Sequence, residues 1–330
     1  MYKKKKLKLT VITCFIVYEL LFTLVTAPFY IYKGPFNNFK KVVVGTIMGT
    51  RHQYFATKFL SAAEIDNITN RSEVIKETSK VNIDGVTILK KKSNNIIRYD
   101  LHPDSGRYDG YLLEIPNPLK IRVAYTQKLR VEGEKTSEMA KEHNALAAIN
   151  GGAFLDNLEN TYGGSAAFPG GFVISMGKVI FNDSNNDTKQ SVTAFTKSGK
   201  LIVGKYSVNE LKKYDVSEAI CFRPPVLIIN GEGQISNKNA ASDGFQPRTA
   251  IGQTADGTVL FLVMDGRKNL IKSGATLKDA QDELLKHGAV NASNLDGGFS
   301  TTMYYDGKVI NSPHGWNGER YVSTALYVEP

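Results

Sequence analysis

Three carboxylates and three arginines stand beside glycine-rich turns, and together they could act on a phosphorylated sugar. The guanidinium group is a fork-shaped donor suited to phosphate, and a carboxylate can serve as acid, base or nucleophile at an acetal carbon. Glycoside cleavage usually needs two carboxyl groups, one of them kept protonated by its surroundings. Taken singly, each residue also fits a structural salt bridge or a turn, so the combination carries the prediction. The six residues are Asp265, Asp296, Glu319, Arg248, Arg267 and Arg320.

Two glycine doublets follow apolar runs that end in a polar residue. Residues 145–149 lead into Asn150-Gly151-Gly152, and residues 289–295 lead into Asp296-Gly297-Gly298. Bare backbone after a buried strand lets main-chain N–H groups approach an anion or a sugar closely. We therefore predict that both turns line a substrate site. Two other doublets, Gly163-Gly164 and Gly170-Gly171, are interpreted as ordinary turns.

Several other kinds of site lack their usual signatures. The sequence has no HExxH, GxSxG or GxxxxGK[ST] motif, and its five histidines show no ligand spacing. Cys14 and Cys221 are the only cysteines, and Cys14 lies in the N-terminal apolar stretch, so no intramolecular disulfide is expected. Residues 183–187 resemble the start of a calcium loop but lack its later glycine and glutamate. We predict neither a cofactor nor a bound metal.

Short apolar runs separated by turn residues predict antiparallel strands from about Ile96 onward. Asp256-Gly257 and Asp306-Gly307 are typical of two-residue hairpins in which both central residues have positive φ. Many hairpins with few helices indicate an α+β fold with mainly antiparallel sheet. The predicted strands are 111–115, 121–125, 171–175, 178–181, 192–195, 201–203, 249–252, 258–264, 302–305 and 308–310.

Helix signals are rare in this part of the chain. Ser137–His143 is a short candidate. Thr276–His287 is stronger, because Thr276 can cap it with Asp279 three residues on, and Gly288 can end it. This second helix leads into the apolar run that ends at Asp296.

The excess positive charge is concentrated at the N-terminus. The formal net charge is +9, and five lysines within the first eight residues account for five of these charges, so nine minus five leaves only +4 elsewhere. The bulk charge therefore gives no indication of a nucleic-acid partner.

Residues 9–32 form an apolar stretch long enough to cross a membrane. The preceding lysines predict a cytoplasmic N-terminus, with the rest of the chain outside the cell membrane. A cleaved signal peptide is the alternative, because residues 25–27 (Val-Thr-Ala) resemble a cleavage site. The length of the stretch and the proline that directly follows, Pro28, favour a retained single-pass anchor.

The domain organisation follows from these signals. We predict a cytoplasmic basic tail (1–8), a transmembrane anchor (9–32), a juxtamembrane stalk or linker (33–95) and a globular domain (96–330). Within the linker, residues 61–71 and 71–80 are polar and could form short helices. The predicted architecture is thus an α+β domain preceded by an N-terminal transmembrane helix.

Five motifs occur in the order found in phosphodiester glycosidases, and residues 140–329 resemble that family, which includes the mannose-6-phosphate uncovering enzyme. The motifs are AINGGAF (148–154), PRTAIG (247–252), DGR (265–267), ASNLDGGFST (292–301) and ERYVSTA (319–325). The chain departs from the family pattern at Phe299, where glycine is common, and at Tyr321, where proline is usual. Bacterial members are often exopolysaccharide-related, and many look membrane-anchored.

The resemblance implies hydrolysis of a sugar-1-phosphodiester in a cell-envelope or extracellular glycopolymer. Arg248 and Arg267 would hold the departing phosphate. Asp296, with either Asp265 or Glu319, would stabilise an oxocarbenium-like centre and activate water. The alternative is a non-catalytic envelope protein that binds glycopolymers, and a metal-dependent phosphodiesterase is disfavoured. By motif, the substrate-binding residues are Asn150, Gly151, Gly152, Arg248, Arg267, Gly297, Gly298, Ser300, Thr301 and Arg320, beside the catalytic Asp296, Asp265 and Glu319. The expected partners are a phosphosugar or glycopolymer substrate and the membrane, and not nucleic acid.

Overall fold

The structure, a computed structural model, describes residues 2–48, 53–69, 80–88, 93–155, 165–236, 243–269, 271–314 and 318–330. The predicted turn at Gly163-Gly164 and nearly all of the possible helix at 71–80 lie outside these residues. The chain divides into two compact units. One consists of Met1–Arg71 with Ala241–Gly244, and the other of Ser72–Ala240 with Phe245–Pro330.

The first unit is helical. It contains α1 (Tyr2–Lys33), α2 (Asn37–Met48), α3 (Tyr54–Thr57) and α4 (Ala62–Thr69). Within α1, the segment Thr10–Lys33 has a mean hydropathy of 2.0 and is long and apolar enough to cross a membrane. By length and composition alone, such a helix is either a membrane span or a signal sequence.

Helices α2, α3 and α4 pack together through apolar side chains. Val44, Ala56, Leu60 and Ile65 are buried there with Tyr32 from the end of α1, and the Tyr32 hydroxyl donates to the Phe55 carbonyl at 2.6 Å. Helix α4 confirms the short helix predicted within residues 61–71. The described part of the juxtamembrane region therefore has a small apolar cluster of its own.

The second unit is built mainly of antiparallel strands. Its strands are β1 (Ile97–Leu101), β2 (Gly110–Ile115), β3 (Ile121–Tyr125), β4 (Glu134–Lys135), β5 (Ala147–Asn150), β6 (Phe154–Leu155), β7 (Phe168–Pro169), β8 (Phe172–Ser175), β9 (Lys178–Asn182), β10 (Gln190–Thr196), β11 (Leu201–Tyr206), β12 (Val216–Cys221), β13 (Val226–Ile229), β14 (Glu232–Gly233), β15 (Arg248–Thr254), β16 (Val259–Met264), β17 (Ala289–Asn294), β18 (Met303–Tyr305), β19 (Lys308–Val309), β20 (Tyr321–Val322) and β21 (Thr324–Val328). Its helices are α5 (Thr136–Glu142), α6 (Val208–Lys212) and α7 (Leu277–Lys286).

Three larger sheets organise these strands. A seven-stranded sheet has the order β1-β2-β16-β15-β17-β13-β14. One five-stranded sheet has the order β11-β10-β12-β8-β9, and the other has the order β19-β18-β5-β21-β3. Two short pairs, β20-β4 and β6-β7, complete the unit as described. The predicted α+β class with mainly antiparallel sheet is confirmed.

One apolar core joins the three sheets. It contains Leu113 and Phe261 from the seven-stranded sheet, Phe195 from the β10 sheet, and Ile149 and Leu326 from the β5 sheet. Each of these side chains is at most 2% exposed. Burial of one such side chain stabilises a fold by roughly 1.5–3 kcal/mol. The core also contains Leu295, which directly follows β17, and it therefore fixes β5, β21 and the end of β17, where candidate site residues lie.

Helix α7 confirms the capping prediction. The Thr276 hydroxyl accepts from the Asp279 amide at 3.0 Å, and Asp279 in turn accepts from the Thr276 amide at 2.7 Å. Gly288 follows the helix with φ +79°, a conformation that glycine adopts at little cost. Leu277, Ala280 and Leu284 face an apolar cluster on the seven-stranded sheet.

One of the two Asp-Gly turns differs from the sequence-based expectation. Asp306 and Gly307 both have positive φ, as predicted, but at the other Asp-Gly turn only Gly257 does. There the Gly257 amide donates to the Thr254 carbonyl, and the loop is longer than two residues.

Candidate active site

The loops after β5 and β17 meet through Asn150. This buried side chain donates to the Asp296 carbonyl at 2.6 Å and accepts from the Thr249 hydroxyl at 2.7 Å and from the Thr302 amide at 3.1 Å. Its amide oxygen and nitrogen are therefore both engaged within the protein. Asn150 therefore holds the two glycine-rich turns together.

The glycines of both turns are required by close packing. A Cβ atom on Gly151 would lie 2.5 Å from the Thr324 hydroxyl, and one on Gly152 would lie 2.3 Å from the Cys221 carbonyl oxygen. Their amides donate to the carbonyl and the hydroxyl of Thr324, at 2.9 and 3.0 Å. The close approach of Thr324 and Cys221 therefore requires glycine at both positions.

The second glycine-rich turn, at Gly297 and Gly298, is also packed too tightly for a larger residue. A Cβ atom on Gly297 would lie 2.7 Å from the Pro247 carbonyl oxygen, and the Gly298 amide donates to that oxygen at 2.9 Å. Gly298 also has φ +63°, which favours glycine. The two turns therefore share tight backbone packing, which places Asp296 beside the loop that precedes β15.

Asp296 has the most distinctive environment of the three predicted carboxylates. Burial raises the pKa of its carboxyl group. The Ser300 hydroxyl, the guanidinium groups of Arg320 and Arg223, and the Gly297 amide act in the opposite direction. A partly buried carboxyl group with two neighbouring cations is typical of a group that changes charge during a reaction.

The predicted arginines fall into two groups. Arg320 and the unpredicted Arg223 act electrostatically on Asp296, and the Arg320 guanidinium lies 4.7 Å from the centre of the Phe154 ring. Arg267 lies near Gly298, and its guanidinium is 5.1 Å from the centre of the Phe299 ring.

The second arginine group is held by the protein itself. Arg267 donates to the Gln246 side chain at 3.3 Å, and burial lowers the pKa of its guanidinium. Arg248 is 3% exposed, and its Nε donates to the Ala275 carbonyl at 3.1 Å. Arg248 therefore has a strong structural contact.

Asp265 follows β16 and is saturated with protein partners. One carboxylate oxygen accepts from the Asn311 side chain at 2.8 Å, and the other accepts from the Ser312 amide at 2.9 Å. The Lys268 ammonium lies 3.3 Å from the second oxygen. With a residue exposure of 1%, Asp265 holds the segment after β19 in place.

Glu319 is engaged at the start of helix α5. One of its oxygens accepts from the Ser137 amide at 3.0 Å, and the other accepts from the Ser137 hydroxyl at 2.5 Å. A carboxylate at this position also interacts favourably with the helix dipole. Glu319 therefore joins the segment before β20 to helix α5.

Buried hydroxyl groups surround this region. The Ser300 hydroxyl acts on the Asp296 carboxyl, as noted above, and it is buried without a hydrogen-bond partner among the described residues. The hydroxyls of Thr301, Thr302 and Ser323 are buried and have no hydrogen-bond partner among the described residues. An unsatisfied buried hydroxyl costs about 1–3 kcal/mol, and the hydroxyl groups of a sugar are suitable partners for such atoms.

No cluster suited to a metal ion is found in the part of the chain that the structure describes, where three or more His, Cys, Asp or Glu side chains would have to converge. The carboxylates of Asp265 and Glu319 have amide, hydroxyl or ammonium partners instead.

The fold and these residues define a class of protein. Residues 143–329 match the family model described as phosphodiester glycosidase, which covers more than half of the chain. The chain belongs to the phosphodiester glycosidase family, as the resemblance in sequence predicts.

The individual relatives differ in how much they share with the chain. N-acetylglucosamine-1-phosphodiester alpha-N-acetylglucosaminidase from Bos taurus is 26% identical over 248 residues, which are 66% of this chain and 44% of that protein. The SPbeta prophage-derived protein YomE of Bacillus subtilis is 46% identical over 66 residues, which are 20% of this chain and 10% of that protein. The chain thus spans less than half the length of these curated relatives.

A solved structure shares the fold. The catalytic domain of zebrafish N-acetylglucosamine-1-phosphodiester alpha-N-acetylglucosaminidase superposes with a TM-score of 0.60 at 23% identity. The match covers 74% of this chain and 86% of the zebrafish chain.

The predicted residues are thus brought together to different degrees. Asp296, Ser300 and Arg320 lie together, while Arg267 lies near Gly298. The Asp265 carboxylate is instead hydrogen-bonded to the segment after β19, and the Glu319 carboxylate is hydrogen-bonded to the start of helix α5. Sequence reasoning missed Arg223, although it follows the strand β12 and precedes two prolines, much as Arg248 stands at a strand end.

Proposed function

We propose that this protein hydrolyses a sugar-1-phosphodiester between the sugar C1 and its oxygen, releasing the sugar and leaving a phosphomonoester. The observation that carries the proposal is the arrangement of Asp296, whose partly buried carboxyl lies beside Ser300 and is influenced electrostatically by Arg320 and Arg223. Membership of the phosphodiester glycosidase family supports it.

The chemistry of the leaving group suits this arrangement. A phosphate monoester departs as a stabilised anion, so it needs little proton donation from the protein. Arg320 and Arg223 would hold that anion through charge-assisted hydrogen bonds. Asp296 in its ionised form would stabilise positive charge at C1 or accept a proton from the attacking water.

The other two predicted carboxylates fit positioning roles better than proton transfer. Asp265 fixes Asn311 and Ser312, and Glu319 fixes Ser137 at the start of α5. Both would have to give up these hydrogen bonds to act as acid or base. We therefore assign the reaction to Asp296 and retain Asp265 and Glu319 as residues that shape the site.

We further propose that the protein is anchored in the cell membrane by residues 9–32, with residues 1–8 in the cytoplasm. Residues 33–95 would connect the anchor to an extracellular domain formed by residues 96–330. The apolar character of Thr10–Lys33 supports this topology. After alkaline carbonate washing of membranes, we expect the protein in the pellet with Met1–Lys8 still attached by mass spectrometry. A soluble chain that begins after Ala27 would contradict it.

Glycopolymer binding without cleavage is the second candidate function. The saturation of Asp265 and Glu319 favours it, because glycoside hydrolysis usually employs two carboxyl groups. Both functions would use a glycan phosphodiester of the cell envelope or of an extracellular polysaccharide. They differ only in whether sugar is released.

Product analysis on the full chain in detergent separates the two functions. A panel of sugar-1-phosphodiesters is incubated with the protein, and free sugar and phosphomonoester are followed by proton and phosphorus NMR. We expect both products with the wild type and with Asp306→Asn, an Asp-Gly aspartate in an exposed turn. Asp296→Asn should give neither. Saturable binding without either product would establish the binding function instead.

A further inference from the structure

A cavity lies on the Arg223 side of the glycine-rich turns. It has a volume of about 310 Å³, and its lining includes three cationic side chains, Lys189, Lys205 and Arg223. Ser191 and Phe222 also line it, together with Ala153, which directly follows Gly152. The site described above makes no use of Lys189 or Lys205.

The β10 sheet builds this cavity from neighbouring strands. Lys205 on β11 lies directly opposite Ser191 on β10. The Phe222 amide, at the end of β12, donates to the Ser191 carbonyl at 3.1 Å. Lys205, Ser191 and Phe222 therefore form a row across three strands, and the sheet holds their backbones at fixed spacing.

The lining of the cavity is cationic, although carboxylates lie nearby. Lys189 forms an ion pair with Glu210 at 2.8 Å. Asp183 accepts from the amide of Gly171, another lining residue, at 2.6 Å. Neither carboxylate lines the cavity. Lys189 and Lys205 are both exposed, so an incoming anion can reach their ammonium groups.

Arg223 connects the cavity with Asp296. Arg223 lines the cavity, and its guanidinium also acts electrostatically on the Asp296 carboxyl group. On the backbone side, the Ala153 amide donates to the Cys221 carbonyl at 2.8 Å, which holds the turn after β5 against the end of β12. A ligand group in the cavity would thus lie next to a group bound at Asp296.

We propose that this cavity is a second anion subsite, which binds a phosphate or carboxylate group of the substrate one unit away from the bond that is cleaved. The inference rests on the proposed hydrolysis and names its substrate class: a glycan chain with several negative charges, rather than an isolated sugar phosphodiester. Lys189 and Lys205 are then residues that determine specificity.

The test compares two synthetic substrates with the full chain in detergent. Both are sugar-1-phosphodiesters of the same sugar, and only one carries a second phosphate on the aglycone. We expect the wild type to prefer the doubly charged compound by about tenfold in kcat/KM, mainly through KM, because only this compound can form a charge-assisted hydrogen bond in the cavity. Lys205→Met and Lys189→Met should lose most of this preference.

The matched control is Lys197→Met, which removes the same charge from an exposed lysine that immediately follows β10 and is paired with Asp215. It should keep the preference. Equal kcat/KM values for the two substrates in the wild type would overturn the subsite and leave the proposed hydrolysis intact. Full retention of the preference by Lys205→Met and Lys189→Met would likewise overturn the subsite and leave the proposed hydrolysis intact.

If the wild type cleaves neither compound, the proposed hydrolysis fails, and the cavity is judged by binding alone. Inorganic tripolyphosphate is then titrated into the full chain by calorimetry. Binding that weakens in Lys205→Met and Lys189→Met but not in Lys197→Met supports the anion subsite. Equal binding by all four proteins, or no binding by the wild type, contradicts it.

Discussion

Two aspartates that follow the strands on either side of β15 in the same sheet have opposite surroundings. Asp265 directly follows β16, and Asp296 lies two residues beyond β17. Asp265 accepts hydrogen bonds from Asn311 and Ser312 and lies beside Lys268. Asp296 is partly exposed, and burial raises the pKa of its carboxyl against the effect of two guanidinium groups. The neighbours of a carboxylate, and not its place at a strand end, therefore decide whether it can react.

The largest effect is expected for Asp296→Asn. The neutral amide cannot accept a proton or stabilise positive charge at C1. Turnover of a sugar-1-phosphodiester should fall by roughly 10³-fold, within the range for a group that takes part in acid–base chemistry. The unfolding transition should change little, and Asp306→Asn should retain wild-type turnover. Wild-type turnover by Asp296→Asn would remove the distinction between the two strand ends.

A third buried carboxyl group extends the comparison to stability. Glu218 is 1% exposed and accepts from the amides of Val123 and Met176, and burial raises its pKa to about 7. The unfolded chain should have the ordinary value near 4.5. The folded state therefore holds this proton more tightly than the unfolded chain does. The stability that the Glu218 carboxyl contributes is greatest below about pH 4.5 and is lost as the pH rises through about 7.

Between about pH 4.5 and pH 7, the contribution of this carboxyl to the free energy of unfolding falls by about 3 kcal/mol. Denaturant unfolding at pH 5 and at pH 8 measures it, and Glu218→Gln, which cannot titrate, should lack this component. Glu114→Gln, at a partly buried carboxylate on β2, is the comparison variant and should keep the pH dependence that Glu218 contributes. An identical pH dependence in the wild type and in Glu218→Gln would contradict the prediction.

Asp265→Asn should act on stability and not on chemistry. One oxygen becomes an NH₂ group that must face a former donor, either the Asn311 side chain or the Ser312 amide. We expect a loss of about 1–3 kcal/mol in the free energy of unfolding. Turnover per folded molecule should fall less than tenfold. A thousandfold loss with unchanged stability would instead place Asp265 in the reaction.

The smallest effect concerns the electrostatic contact between Arg223 and Asp296. Removing the positive charge favours the neutral carboxyl group, so Arg223→Gln should raise the pKa of Asp296 further. Because Asp296 would act in its ionised form, the acidic limb of the pH–rate profile should move to higher pH. Arg98→Gln, which removes an exposed arginine paired with Asp100, should leave that limb in place. A limb that does not move in Arg223→Gln would argue against the contact.

Local signals in the sequence predicted much of the fold. The cap at Thr276 and Asp279, the stop at Gly288 and the turn at Asp306-Gly307 all depend on residues within a few positions of one another. The class of the fold followed from many such signals. The Asp256-Gly257 turn was wrong in detail because the same dipeptide also fits a longer loop in which only the glycine has positive φ.

The candidate site was less accessible to sequence reasoning, because it depends on distant partners. Asp265 is satisfied by Asn311, 46 residues away, and Glu319 by Ser137, 182 residues away. No spacing rule reveals such contacts, and so all three carboxylates looked alike. Arg223 was overlooked for the same reason, since its proximity to Asp296 comes from the packing of two sheets.

The position of the cleaved bond tests the account most directly. Hydrolysis of a sugar-1-phosphodiester by the full chain in ¹⁸O-labelled water shows which atom the water attacks. We predict that early in the reaction the label is in the C1 hydroxyl of the released sugar, with none in the phosphomonoester, and that Asp296→Asn abolishes its incorporation. Label in the phosphomonoester would mean attack at phosphorus and would contradict a glycosidase built around Asp296.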